Sequence, residues 1–395
     1  MGVMTTLNPT RMQPLKELPA RMRLLPNLGE AWCPVCTSDA VVPGRLHVEL
    51  LAGKRVVLHR NSAGDLHALE DRCPHRGVPL SRGTWTERGV RCGYHGMLVD
   101  VQGLCSGALA RTYAVREKYG LVWILVGEFI RADHVPMHDL APFGAGSHLD
   151  TWMCMDINAH WSLVMDNGLD MTHGHLHRDQ PYFFSELDLA EVQGTVDGVS
   201  VAYQAKLRDE WYRMRVGQIR LDLVGATFLA DFGGQPVVRS VTTPRSADGR
   251  KVTQWWWFSF AASRWARPFY ALALPLVRKF IWDAFLQDKE MLEHESRAVF
   301  EDGFVQRERN PAVLDANVHL LAMVNERCRQ MLSLLPVEQI SRYDALRQLE
   351  SGELAFVARD PAVPSPMTAA EVAAATHGCE TIQVQRYWQM ALVDL

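Results

Sequence analysis

Cys73-Pro74-His75, then sixteen residues, then Cys92-Gly93-Tyr94-His95 constrain this chain more than any other feature. Two short clamps so far apart serve one inorganic centre only if a rigid framework brings their loops tip to tip. Each clamp offers one thiolate and one imidazole, so the two Cys can face one iron and the two His another. That is the ligand set of a [2Fe–2S] cluster whose potential lies at about −150 to +300 mV rather than near −400 mV, a centre that passes single electrons. A structural zinc site takes the same four donors, but it pairs Cys with Cys and His with His at short spacing. Gly77, Gly83, Gly89, Gly93 and Gly96 surround the clamps and let backbone N–H groups approach cluster sulfurs.

With 395 residues, 48% of them hydrophobic, the chain is long enough for two or three domains with sizeable cores. The net charge of −4 is spread along the sequence, and no Lys/Arg run suggests a nucleic-acid stripe. Of eight cysteines, the six outside the clamps form no tight even framework, which points to a reduced cytoplasmic setting. Cys33-Pro34-Val35-Cys36 has the spacing of a redox dithiol, yet its surroundings read as the entry into a β domain. No charged-then-apolar leader is expected, and no stretch of 18 apolar residues spans a membrane. Phe269–Val277, interrupted by Pro275 and followed by Arg278-Lys279, reads as a buried or interfacial segment.

Residues 1–30, with four prolines, read as an extended arm. From 31 to 135 the pattern is short strands and turns: 55–59, 66–69, 90–92 and 121–126 as strands, with a turn over 61–65. Residues 136–142 read as a linker into a second domain, 136–395. There, a helix is expected over about 160–177 and strands near 192–204, 216–231, 236–243 and 251–262. Helices over 276–300 and 311–334 follow. The aromatic strand 254–260 reads mostly as core, with part of its tryptophans available to a pocket.

Asp166-Asn167-Gly168-Leu169-Asp170-Met171-Thr172-His173-Gly174-His175-Leu176-His177 is a second constellation. On a helix, His173 and His177 share a face with Asp166 and Asp170, and His175 points away. Two imidazoles and one carboxylate on one side of an iron leave open positions, as in non-haem iron(II) oxygenases. Asp288 is the candidate third ligand and Asp283 the runner-up. Glu290 and Glu293 read as solvated helix-face charges.

With both motifs together, the chain resembles the α (terminal oxygenase) subunits of Rieske non-haem iron oxygenases, the ring-hydroxylating family, from about Trp32 to Glu293. The carrying motifs are C-x-H-x16-C-x2-H and N-x2-D-x2-H at Asn167, Asp170 and His173, followed by His177. Three residues separate His173 from His177 where many members have four, a spacing similar to the α-only, trimeric carbazole dioxygenase type that leaves His175 as a competing ligand. The resemblance implies an α+β chain: an all-β Rieske [2Fe–2S] domain, then a helix-grip-like antiparallel sheet with helices over it. It implies Cys73, His75, Cys92 and His95 as cluster ligands, and His173, His177 and Asp288 as ligands of a mononuclear Fe(II). Asp170, with Asn167 beside it, would be the family's carboxylate linking His173 to a cluster histidine, His95, of a neighbouring subunit in a homotrimer. O2 would be co-substrate, with electrons from NAD(P)H through a partner ferredoxin or flavin reductase, since no G-x-G-x-x-G signature is present. The product would be a hydroxylated or demethylated hydrophobic ring compound. The competing readings are a Rieske electron carrier without oxygenase activity and a zinc-stapled binding protein.

Overall fold

The structure is a computed structural model that describes residues 16–17, 31–126, 135, 137–140, 143, 148–170, 173, 177, 184–194, 198–207, 216–222, 227–232, 235–263, 265, 267–310, 313–314 and 317. It places two antiparallel β assemblies in sequence order.

In the first, strand Leu121–Val126 lies between Val115–Lys118 and Ala31–Thr37. The run Leu-Val-Trp-Ile-Leu-Val is apolar at every position, which suits a strand buried on both faces. Its alternation splits the side chains. Val122, Ile124 and Val126 enter one core with Val56, Leu58 and Ala68. Leu121, Trp123 and Leu125 enter another with Trp255 and Trp257. The four-stranded sheet packed against it runs, in spatial order, Thr112–Tyr113, Leu66–Glu70, Lys54–Arg60 and Leu46–Leu51. Val57 and Leu69 of that sheet join Leu80, Val90 and Val99 in a third core, beneath both cysteines of the clamps. The expected turn over 61–65 is closed by Asn61, whose Nδ2 donates to Asp65 Oδ2 and whose Oδ1 accepts the Asp65 N–H, both at 2.8 Å.

The Cys33-x-x-Cys36 pair lies within strand Ala31–Thr37, fully inside. Burial pushes both thiols up to about 12, so they are protonated packing groups at neutral pH, not a dithiol couple.

The second assembly is a seven-stranded antiparallel sheet with spatial order His148–Ile157, Val252–Ala261, Gln235–Pro244, Thr227–Phe232, Val216–Asp222, Gly198–Leu207 and Phe184–Gly194. Its first strand runs into helix α1 (Trp161–Leu169), and the strand paired antiparallel with that one runs into helix α2 (Arg267–Phe300), so the helices leave opposite ends of this strand pair. The sequence expectation of one helix over 160–177 is corrected: α1 stops at Leu169, with Asp170 as its C-cap outside helical geometry. The expected helix 311–334 lies almost wholly outside the described residues, as does nearly all of the arm 1–30. Of the arm, Lys16–Glu17 pairs with Arg307–Glu308.

The two assemblies are stitched by specific contacts. Trp123 and Trp257 stack at 5.8 Å and 13°, an arrangement contributing about 0.5–1.5 kcal/mol beyond burial. Arg245 donates to Glu49 Oε2 (3.1 Å), to the Leu50 carbonyl (2.9 Å) and to the Val35 carbonyl (3.2 Å). Ala52 and Gly53 donate N–H to the carbonyls of Pro244 and Arg245, each at 2.8 Å. Alternation along 252–261 thus turns Trp255 and Trp257 toward the first assembly. Trp256 faces α2 instead and stacks on Phe285 at 4.3 Å.

Candidate metal centres

The two clamps have one backbone design. Cys73 N–H donates to the Val78 carbonyl and Gly77 N–H to the Cys73 carbonyl, both at 2.8 Å; Cys92 N–H donates to the Met97 carbonyl at 2.8 Å and Gly96 N–H to the Cys92 carbonyl at 3.0 Å. Each loop closes through a glycine at positive φ, +73° at Gly77 and +69° at Gly96, which an L side chain rarely adopts. The loops also press on each other. A Cβ on Gly83 would stand 2.1 Å from the Arg91 carbonyl oxygen, and one on Gly93 would stand 2.6 Å from that of Arg82.

Like donors are thereby brought together. The Cys73 and Cys92 thiols hydrogen-bond to one another and are buried, while the His75 and His95 rings meet edge to face at 4.8 Å on the exposed side. Burial raises the Cys92 thiol, but the backbone N–H groups of Tyr94 and His95 and the Cys73 thiol aim at its sulfur and bring it below the usual range. A thiol pair facing inward with N–H donors, and an imidazole pair facing outward, fits a two-iron cluster. A single zinc would need all four donors around one point. Asp71 was not singled out in the sequence, yet it anchors the first loop. Its buried carboxylate accepts from Arg55 Nε (3.0 Å), Ser81 N (2.6 Å) and Ser81 Oγ (2.7 Å). An acid two residues before the clamp was the available signal.

At the second constellation, His173 Nε2 and His177 Nε2 converge on one oxygen of Asp288, Oδ1, at 3.3 and 3.1 Å. All three ligand atoms lie within 4.8 Å of one another, and two nitrogens with one carboxylate oxygen fit a non-haem iron. The histidines come from the chain beyond α1, and Asp288 comes from α2 on the face that also carries Leu292 and Ser296. Burial pushes the Asp288 carboxyl up, but hydrogen bonds from His173 and His177 outweigh it and hold the group down at about 2. Burial lowers His173, and its contact with Asp288 more than reverses that. Asn167 Nδ2 lies 3.3 Å from His173 Nε2.

The runner-up Asp283 is not part of this set: it pairs with Lys279 one turn earlier on the helix surface. Glu293 is not merely solvated, because its Oε1 accepts from Asn158 N (2.9 Å) and Nδ2 (3.1 Å), fastening α2 to the end of the first sheet strand. His175 lies outside the described residues. The carboxylates of Asp170 and Asp166 are held from beyond α2, by Asn310 Nδ2 at 2.7 Å and Asn317 Nδ2 at 2.8 Å. Nothing in the local sequence marked either asparagine.

The fold thus joins an all-β assembly that carries both clamps to an antiparallel sheet and helices that carry the His173, His177 and Asp288 set. Residues 31–116 match the Rieske [2Fe–2S] domain family. Among curated proteins, the chain is similar to 4β-methylsterol monooxygenase of Methylococcus capsulatus, 31% identical over 213 residues, or 50% of this chain and 58% of that protein. It is also similar to the oxygenase subunit of vanillate O-demethylase from a Pseudomonas species, 29% identical over 43% of this chain and 51% of that one. The chain thus matches little more than half the length of these relatives. Among solved structures, the terminal oxygenase of carbazole 1,9a-dioxygenase from Nocardioides aromaticivorans shares the fold, with a TM-score of 0.59 at 16% identity, covering 77% of this chain and 96% of that one.

Proposed function

We propose that this chain is the terminal oxygenase component of a Rieske non-haem iron system, with residues 31–135 as its cluster domain and 136–395 as its catalytic domain. The observation that carries the reading is the convergence of His173, His177 and Asp288 in a chain that also presents paired Cys73/Cys92 and His75/His95. When bound, the cluster supplies single electrons and the iron supplies O2 activation.

The chain's own residues do the rest. Exposure of His75 and His95 leaves the cluster edge open to a ferredoxin or flavin reductase fed by NAD(P)H, and to a neighbouring copy of the chain in a homotrimer. Asp170 links His173 to a cluster histidine of that neighbour, with Asn310 holding its carboxylate. Asn167, whose Nδ2 lies beside the same His173 Nε2 that would bind the iron, borders the metal position. Three protein ligands would leave a bound iron with positions for co-substrate and substrate. Trp256 and Phe285 form an aromatic wall on the Asp288 side of α2, suited to a hydrophobic aromatic or cyclic molecule that is hydroxylated or oxidatively demethylated. The relatives' names, a methylsterol monooxygenase and an O-demethylase, support the same substrate class.

The test is reconstitution with a surrogate ferredoxin–reductase pair, NADH and a panel of aromatic and alicyclic substrates. Substrate-dependent O2 uptake with hydroxylated or demethylated product, lost in His173→Ala, is expected. Cluster reduction with no product from any substrate, even after ferrous iron is added, would leave an electron carrier.

A further inference from the structure

Helix α2 begins with a segment that soluble helices avoid. Trp265, just before it, is 85% exposed, and Phe269, Leu272 and Leu276 are 76%, 83% and 72% exposed. At about 100° per residue these four positions form one stripe, and Leu274, nearly opposite, is the side chain turned inward. Large apolar groups side by side in water mark an interaction surface. Its exposure on the chain suits the interfacial reading of this stretch rather than a place in the chain's own core.

Charge selects the partner. Between Arg264 and Trp282 there are four basic residues, Arg264, Arg267, Arg278 and Lys279, and no acidic one; the first acid, Asp283, pairs with Lys279. A second copy docked about a two-fold axis would bring these bases against each other with no acid in the stripe to pair them, and a head-to-tail contact between copies is an outcome the test below separates. An anionic bilayer meets both features, since its headgroups attract the flanking bases and its acyl boundary takes the stripe. Trp265 sits at the end of the stripe, where indole rings favour the headgroup level. The segment is too short to cross, and no helix among the described residues is long and apolar enough to do so.

We propose that the segment from Trp265 to Lys279 docks the protein on an anionic phospholipid surface, lying in the plane of the interface. The same helix reaches Asp288 twelve residues beyond Leu276, roughly 18 Å along its axis. Docking therefore places the metal-binding stretch of α2 near the membrane face, where lipophilic molecules are concentrated. The proposal does not depend on oxygenase activity, because its readout is lipid binding.

The experiment is flotation of the full chain, cluster loaded, with phosphatidylcholine vesicles containing or lacking about 30% phosphatidylglycerol. The wild type is expected to float with the anionic vesicles and to bind at least roughly tenfold less to neutral ones or at high salt. Leu272→Glu combined with Leu276→Glu should reduce anionic-vesicle binding at least tenfold while leaving the cluster's absorption spectrum unchanged. Arg278→Glu, which leaves the stripe intact, should weaken it severalfold and steepen nothing on neutral vesicles. Failure of the wild type to float, or equal flotation of the leucine variant, would overturn the proposal. So would a change of sedimentation coefficient in that variant with no lipid binding by the wild type, which would make the stripe a contact between copies.

Discussion

Asn310 donates its side-chain N–H to Asp170 Oδ1 at 2.7 Å across 140 residues of sequence, joining the chain that follows α2 to the turn that ends α1. Asn310 is buried, and the strand just before it, Arg307–Glu308, pairs with Lys16–Glu17. The carboxylate next to the histidine pair is thus held by an element that also carries part of the N-terminal arm.

Replacing Asn310 by Ala removes a hydrogen bond to an ionised group, with an expected cost of about 1.5–3 kcal/mol in urea unfolding. Asn310→Asp should cost more, since it places one carboxylate against another. Equal stabilities for wild type and both variants would mean the contact contributes nothing.

Asp170→Asn keeps the shape and removes the charge. It should retain cluster and iron contents and slow reoxidation of the reduced cluster in single turnover by roughly tenfold or more. Wild-type rates would leave Asp170 without a part in electron delivery.

Gly83→Ala forces a methyl into the Arg91 carbonyl, 2.1 Å away, at the point where the two clamp loops touch. Something must shift, and the Cys73/Cys92 pairing shifts with it. The purified variant should lose most of its acid-labile sulfide; full cluster occupancy would show that the loops tolerate separation.

Cys33 and Cys36 are held protonated by burial, at about 12 against an ordinary thiol value near 9. A raised folded-state value means that the folded chain binds these protons more tightly than the unfolded chain does. Their stabilisation is complete below about pH 8.5 and is lost as pH rises from there toward 12. Alkylation by iodoacetamide at pH 8.5, mapped by mass spectrometry, should therefore spare both in the native protein and label them in urea. Rapid native labelling would contradict the packing described here.

Much of this was legible in the sequence because the signals were local. The run 121–126 is apolar at every position, and the strand occupies those residues. The clamps carry their own spacing. The helix over 160–177 misled because a His173/His177 interval fits one helical turn, whereas α1 ends at Leu169 and both histidines still meet Asp288. Glu293 looked solvated because its partner, Asn158, is 135 residues away. Asn310 and Asn317 could not be read at all, since their identity matters only once the carboxylates they meet are in place. Contacts set by tertiary folding leave no periodicity to find.

Two different iron sites on one chain, as proposed, fix its metal content. The most direct measurement is iron and acid-labile sulfide per chain on anaerobically purified protein, with an EPR spectrum after dithionite reduction, for wild type and His173→Ala. About three irons and two sulfides with a rhombic Rieske signal are expected, falling to about two irons with the signal intact in the variant. Zinc without sulfide, or an iron content unmoved by His173→Ala, would contradict the account.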